Sequence, residues 1–377
     1  MNIIYFIHDL HTIGGIERVT VNKANWLVQQ GHTVSIVTTD QNSKKLAFNL
    51  SGKVKLIDLG LNYKSSRGKN WFCKAIKLIK NHYCHRIKLE KVLHDLSPDI
   101  VISTFGPEMG ILADMQLKCP KILEFHSAIV QFHQMKNAKG IRGIINRINY
   151  NSIYKNISKF DRFVILSEHE LNVWALHNAI AIPNACYMNV NISYNSNSKT
   201  VIAVGRLSKE KDFSTLLDVW KIVQSDIDGW NLKIYGDGPE HSSLAYKIES
   251  LNLSGSVELM GTCHDMEKEY ASASVFCMTS HYEGQPMVLI EALTCGVPSV
   301  VFETDGRMKK LSNNGTLCFV IQPRDKNEMA LRLIELMNNR DLRIEMSKRA
   351  RNISDIFNQY VIMHQWEHLF KTLVAEQ

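Results

Sequence analysis

Short apolar runs alternate along this chain with longer stretches in which apolar residues recur every three or four positions. Ile3–Ile7, Val34–Thr38, Val54–Leu59, Ile100–Thr104, Lys121–Phe125 and Arg162–Leu166 read as strands, several apolar enough to be covered on both faces. Ile16, Val19, Lys23/Ala24 and Leu27 keep helical spacing, which predicts a helix from Ile16 to Gln30 closed by Gly31. The rhythm breaks after Ile180–Ile182. Pro183-Asn184 leads into a polar, Asn/Ser-rich run from Asn189 to Lys199, the clearest domain boundary in the sequence. Strands then resume at Val201 and over Leu232–Tyr235, Val257–Met260, Val275–Thr279 and Val297–Phe302. A last helix is predicted over Ser354–Leu373, with Met363, Trp366, Leu369 and Phe370 on its buried face. Strands alternating with helices in both halves predict two α/β domains, each a doubly wound parallel sheet.

The densest chemistry lies between Ser280 and Val301. Pro286 suits the first position of a short helix and Gly296 the left-handed position after its end. The N–H groups of Met287 and Val288 would then be unsatisfied, and a helix start of this kind attracts anions. Glu283 and Glu291 bracket it. Carboxylates beside an anion site suit a sugar carrying a phosphate, whose hydroxyls they can accept from; the alternative is a capped helix with two solvated acids. Arg206 and Lys211 follow the strand that starts at Val201, before a helix capped near Asp212. Two fixed cations there could hold a diphosphate as a leaving group, or could simply pair with Glu210 and Asp212.

Other strand ends open into turns. Gly14-Gly15 follows the first strand; it could bring backbone N–H groups to a phosphate, or be a plain tight turn. It is not the G-x-G-x-x-G of dinucleotide-binding proteins. Gly236-Asp237-Gly238-Pro239 and Gly261-Thr262-Cys263-His264-Asp265 follow two later strands, and His126 follows Lys121–Phe125 directly, where active groups of open α/β sheets sit.

The remaining composition adjusts this picture modestly. A length of 377 residues allows two or three domains. A formal net charge of +7 and a pI near 8.8 permit attraction to phosphates or an anionic membrane. The eight cysteines are scattered, without metal-like spacing, which suits reduced thiols in a cytoplasmic compartment. His364 and His368 stand four apart without the acid of a zinc-helix motif. The N-terminus lacks a signal-peptide pattern, and no apolar run is long enough to span a bilayer. From Lys64 to Lys91 the basic residues Lys64, Arg67, Lys69, Lys74, Lys77, Lys80, Arg86, Lys88 and Lys91 meet one acid, Glu90, interleaved with Trp71, Phe72, Ile76, Leu78, Ile79 and Tyr83. Such a stretch is either an amphipathic membrane-surface helix or a solvated face over a core stripe. Lys136, Lys139, Arg142 and Arg147 extend the bias. No nucleic-acid recognition motif accompanies the charge.

Taken in order, Gly14-Gly15-Ile-Glu-Arg-Val, His126, Gly205-Arg206-Leu-Ser-Lys-Glu-Lys211, Gly236-Asp-Gly-Pro and Glu283-x7-Glu291 resemble the retaining glycosyltransferases of family 4. The resemblance is strongest to bacterial enzymes of capsule, exopolysaccharide and O-antigen (lipopolysaccharide) assembly. It implies an α/β GT-B fold: two Rossmann-like doubly wound domains facing across a cleft, with the C-terminal helix crossing back to the first. The implied divisions are 1–184, acceptor-binding; 185–355, nucleotide-sugar-binding; and 356–377, the returning helix. The implied activity is retaining, metal-independent transfer from a nucleotide-diphosphate sugar, most often a UDP-sugar, to a lipid-linked or glycan acceptor, with no cofactor. Position by position, Arg206 and Lys211 would hold the diphosphate, helped by the Gly15 N–H and the Met287 and Val288 amides, with Gly14 and Gly236 also among the donor-binding residues. Glu291 would take the ribose, Glu283 and His126 the transferred sugar, and Thr262–His264 would flank the base. His126, Glu283, Arg206 and Lys211 form the implied catalytic set, without a side-chain nucleophile. The implied place of work is the inner face of the cytoplasmic membrane. One departure from the family pattern is Lys309-Lys310, where relatives carry an acid. Competing readings are a sugar-nucleotide epimerase on the same fold, against which the Glu283/Glu291 pair and the basic amphipathic stretch favour transfer, and a catalytically silent sugar-nucleotide-binding scaffold, against which the intact Arg206, Lys211, His126 and Glu283 argue.

Overall fold

The computed structural model describes residues 1–63, 71–129, 132, 140–189, 191, 193–263 and 265–377, with backbone only at 71–79 and 140–142. Its contacts divide the chain into two compact units: Met1–Asn184 with Tyr360–Gln377, and Ala185–Gln359.

The first unit is built on seven parallel strands: β1 (Asn2–Ile7), β2 (Thr33–Thr38), β3 (Lys55–Asp58), β4 (Ile100–Ser103), β5 (Lys121–Glu124), β6 (Arg162–Ile165) and β7 (Ala179–Ala181). They lie in the order β3-β2-β1-β4-β5-β6-β7. Five consecutive residues of β1, Ile3 to Ile7, are buried, because helices cover both faces of the sheet. Packed on one face is an aromatic cluster in which the Trp174 ring stands 5.1 Å from Phe125 and 4.9 Å from each of Phe132 and Phe163. The helix Gln359–Ala375 buries Met363, Trp366, Leu369 and Phe370, the face its spacing predicts.

The second unit carries six parallel strands: β8 (Thr200–Val204), β9 (Asn231–Tyr235), β10 (Val257–Gly261), β11 (Val275–Met278), β12 (Ser299–Phe302) and β13 (Phe319–Ile321). Their order is β10-β9-β8-β11-β12-β13. Trp220, Leu216, Leu217 and Leu333 are fully buried in its core. In each sheet the order reverses beside the first strand, between β1 and β4 and between β8 and β11. Loops leaving the carboxyl ends at such a reversal diverge and leave room for a ligand.

The differences from the sequence-based expectations have identifiable causes. Pro286 is the N-cap, not the first helical residue, and the helix runs Met287–Thr294. The last helix starts at Gln359 instead of Ser354. Ahead of it Ile353–Ile356 makes a separate turn, and Asn358 is held in a parallel bridge to Cys186, whose N–H donates to the Phe357 carbonyl at 2.8 Å. An extended residue cannot continue a helix. Strand β13 and the helices Lys326–Asn338 and Arg340–Ala350 lie between the last strand the apolar pattern predicts, Val297–Phe302, and the C-terminal helix.

Candidate functional site

The loop after β8 carries Arg206 and Lys211, and two neighbouring loops clamp it. On one side the Leu207 N–H donates to the Asp237 carbonyl at 3.0 Å and the Glu240 N–H to the Leu207 carbonyl at 2.9 Å. Gly236 has φ +137°, and a Cβ on it would stand 1.9 Å from the Gly205 carbonyl oxygen. A Cβ on Gly238 would stand 2.3 Å from the Leu207 carbonyl oxygen. Both glycines are therefore required so that one backbone can lie directly against the other. On the other side the Thr279 hydroxyl bonds the carbonyls of Lys211 and Asp212 at 3.1 and 2.9 Å, and the His281 N–H donates to the Glu210 carbonyl at 2.8 Å. Asp212, with φ +48°, caps the helix Phe213–Asp226 through the Thr215 N–H and hydroxyl.

This clamp sets the charges. The Lys211 ammonium donates to both oxygens of Glu283, at 2.6 and 2.8 Å, so a cation from β8 and an acid from β11 meet across the reversal of strand order. Glu283 is 8% exposed and Glu291 3%, so neither is a solvated acid. The Tyr270 hydroxyl donates to Glu291 at 3.2 Å. Arg206 is exposed. Beside it, burial raises the Glu210 carboxyl, but a Ser208 hydrogen bond and the charges of Lys211 and Arg206 more than reverse this and hold it below the usual range. Lys211 thus pairs with Glu283 and not with Glu210 or Asp212.

The start of the helix Met287–Thr294 departs from expectation. The Met287 N–H is taken by the Gln285 carbonyl at 2.8 Å, because Pro286 at the N-cap folds the chain back on itself there. Met287 is therefore not an open donor; Val288, one position further, lies where a helix has no internal acceptor to offer. Arg307 donates to the Gly284 carbonyl and ties the Glu283 loop to the segment after β12. There Glu303 accepts from the Met308 and Lys309 N–H groups at 3.1 and 3.0 Å, capping the short helix Arg307–Leu311. The departing Lys309-Lys310 pair thus sits on a helix whose exposed start is already closed by an acid. A pocket of about 350 Å³ opens over Asp212, Thr279, Ser280, His281, Glu303 and Arg324. Thr262 is exposed after β10, and His264 lies outside the described residues.

In the first unit, Gly14 is the N-cap and Gly15 the first residue of the helix Gly15–Gln29, and nothing lies within 4 Å of a Cβ built on Gly15. His126 is inward-facing, with its side chain 4% exposed and Nε2 2.9 Å from Glu124. The other Glu124 oxygen accepts from Lys23 at 2.7 Å. Lys23 lies over the Trp366 ring, 3.3 Å from its centroid. Burial pushes the Lys23 ammonium down to about 8 against the attraction of Glu124. The same burial raises Glu124, but Lys23 and the His126 hydrogen bond outweigh it and hold the carboxyl at about 2. Sequence reasoning missed Glu124 and the role of Lys23. The signal was present, since Lys23 falls on the apolar face of its helix and Glu124 inside a strand of buried residues.

His364 pairs with Glu367 at 3.2 Å, and Glu367 also meets His32 at 3.1 Å. Among the described residues no cluster of His, Cys, Asp and Glu could hold a metal ion, and no helix is long and apolar enough to cross a membrane. Of the basic stretch, Lys64, Arg67 and Lys69 lie outside the described residues, as do Lys136 and Lys139 and the side chains of Lys74, Lys77 and Arg142. Lys80, Arg86, Lys88 and Lys91 are exposed on the helix Trp71–Leu96, with Tyr83 and Ile87 also exposed.

Two family models cover nearly the whole chain: Glycosyltransferase Family 4 over residues 13–184 and Glycosyl transferases group 1 over residues 190–353. The chain is 29% identical to an uncharacterized glycosyltransferase of Haemophilus influenzae over 96% of its own length and 98% of that protein. It is 25% identical, over 97% of both chains, to an α-1,4-N-acetyl-D-galactosaminyltransferase of Campylobacter jejuni named for a PP-undecaprenol-linked acceptor. Its fold matches Staphylococcus aureus TarM, solved with fondaparinux, α-GlcNAc-glycerol and UDP, with a TM-score of 0.80 at 18% identity, covering 98% of this chain and 99% of that one. The two Rossmann-like units are those of the GT-B fold, and the chain belongs to the family 4 glycosyltransferases.

Proposed function

We propose that this glycosyltransferase transfers a sugar from a UDP-sugar to a lipid-linked or glycan acceptor in surface polysaccharide assembly, with retention of anomeric configuration and without a divalent metal. The observation that carries the reading is the Lys211–Glu283 pair at the strand-order reversal of the second unit, with Arg206 on the same clamped loop. A leaving diphosphate needs compensation for its developing charge, and pre-oriented cations supply it with little reorganisation. In the free protein Lys211 neutralises Glu283. An arriving diphosphate would share that ammonium and release the carboxylate to accept from sugar hydroxyls. Glu291, positioned by Tyr270, takes the ribose, the Val288 amide supports the phosphate, and His126 contacts the transferred sugar. The departing phosphate oxygen takes the acceptor's proton, so no side-chain nucleophile is assigned.

The relatives support the donor and acceptor classes: TarM was solved with UDP, and the Campylobacter relative is named for an undecaprenyl-linked acceptor. The exposed basic residues of the helix Trp71–Leu96 would bring the protein to an anionic membrane, at its cytoplasmic face, where lipid-linked acceptors are presented. The test is a panel of UDP-, GDP- and dTDP-sugars in excess EDTA. A ligand bound only by the folded state raises its melting temperature, and the product anomer is read by NMR. A UDP-sugar should stabilise the protein and yield a product of unchanged anomeric configuration; strict dependence on added metal or an inverted product would refute the reading.

A further inference from the structure

Burying Lys23 and Glu124 side by side calls for a reason, because an apolar pair of similar volume is usually as stable as a buried ion pair. Lys23 is 3% exposed and Glu124 2%. The geometry supplies one. Glu124 uses one oxygen for Lys23 and turns the other to His126 Nε2 at 2.9 Å. A carboxylate only accepts, so Nε2 must carry the proton. In neutral imidazole that leaves Nδ1 as a bare acceptor, and His126 Nδ1 is buried with no hydrogen-bond partner among the described residues. Lys23 is itself held between the Trp366 and Tyr5 rings, 3.3 and 5.5 Å from their centroids, so the carboxylate and its cation are both fixed.

We propose that Glu124, charge-balanced by Lys23, is a positioning residue that keeps the His126 proton on Nε2 and leaves Nδ1 to accept a hydrogen bond from a hydroxyl of the transferred sugar. The inference rests on the reading of His126 in the proposed function and adds to it the tautomer, the atom and the two residues that impose them. An unpartnered buried acceptor is costly, and a hydroxyl donor is the ligand group that removes the cost. Lys23 keeps the carboxylate from acting as a lone buried anion.

The test uses the full chain labelled with ¹⁵N-histidine, with His126 assigned by the signal lost in His126→Gln. In the wild type Nε2 should be protonated and Nδ1 bare. In Glu124→Gln the donor-only Lys23 ammonium claims the amide carbonyl and turns the NH₂ toward His126. Nε2 then has to accept, and the proton should move to Nδ1. In Lys23→Met/Glu124→Gln the carbonyl is released to accept from Nε2, and the wild-type tautomer should return; this variant carries no unpaired buried charge and should fold. Turnover, read as UDP release from UDP-glucose, UDP-galactose and their N-acetyl-hexosamine counterparts, should fall on the order of tenfold or more in Glu124→Gln and recover in the double variant. A role confined to stability would let stability and turnover recover without moving the proton, so the tautomer is the readout that separates the two. A wild-type Nδ1 that is protonated, or a tautomer unmoved by Glu124→Gln, overturns the proposal. His126→Ala at wild-type turnover would instead remove the sugar contact in the proposed function, and the acceptor role of Nδ1 with it, whatever the spectra show for Glu124.

Discussion

Replacing Gly236 with alanine should break the clamp on the cationic loop. At φ +137° an L-residue is strained by about 1–3 kcal/mol. The new Cβ would stand 1.9 Å from the Gly205 carbonyl oxygen and 2.9 Å from its carbon. Restoring an ordinary C···O distance of ~3.4 Å moves one backbone away from the other by about 1.5 Å. Forced repacking of this kind costs a further ~1–3 kcal/mol. The total of about 2–6 kcal/mol is a large part of the ~5–15 kcal/mol that holds a typical domain folded. Arg206 and the fully buried Leu207 lie on the displaced loop, and a shift of ~1 Å in a positioning group costs about 100-fold in turnover. Urea unfolding followed by circular dichroism measures the first effect by linear extrapolation, and UDP release measures the second. Gly255→Ala is the control: nothing lies within 4 Å of its Cβ, and its effect should stay within about 0.5 kcal/mol. An unfolding midpoint for Gly236→Ala equal to that of Gly255→Ala would refute the steric argument.

Two further outcomes test other parts of the molecule. The Glu124 carboxyl titrates at about 2 in the folded protein against an ordinary 4.5, so its contribution is fully present above pH 4.5 and is lost as pH falls through about 2. Melting temperatures between pH 5 and 2 should therefore decline less steeply in Lys23→Met/Glu124→Gln than in the wild type, and parallel declines would contradict the assignment. Exchanging Lys74, Lys77 and Lys80 for glutamine should weaken co-sedimentation with phosphatidylglycerol vesicles by about tenfold or more, at ~1 kcal/mol per basic residue near an anionic surface. Unchanged sedimentation would make that stretch a solvated face.

Most of the fold was legible because the strands are buried on both faces and so read as uninterrupted apolar runs. Ile3–Ile7 and Ile100–Thr104 needed only end corrections of a residue. Tertiary pairing was not legible. Asn358 breaks the last helix because it bridges to Cys186, more than 170 positions away. The site residues divide in the same way. Arg206, Lys211 and Glu283 stood out as charged groups at strand ends, but their pairing depends on β8 and β11 being neighbours, which motif spacing does not reveal. The Met287 amide was misjudged because one residue separates Pro286 as N-cap from Pro286 as first helical residue. Lys23 and Glu124 were passed over because a charged residue on a buried face gives its meaning only with its partner, 101 positions along the chain.

The most direct measurement is isothermal titration of UDP, in EDTA, into the wild-type protein and into Arg206→Ala/Lys211→Ala. Two charge-assisted hydrogen bonds, each worth about 1.5–3 kcal/mol, correspond to a loss of affinity of roughly 100-fold or more. Binding without metal that weakens to that extent in the double variant is the expected result. Equal affinity in the two proteins, or no wild-type binding until a divalent cation is added, would contradict a diphosphate held by fixed cations.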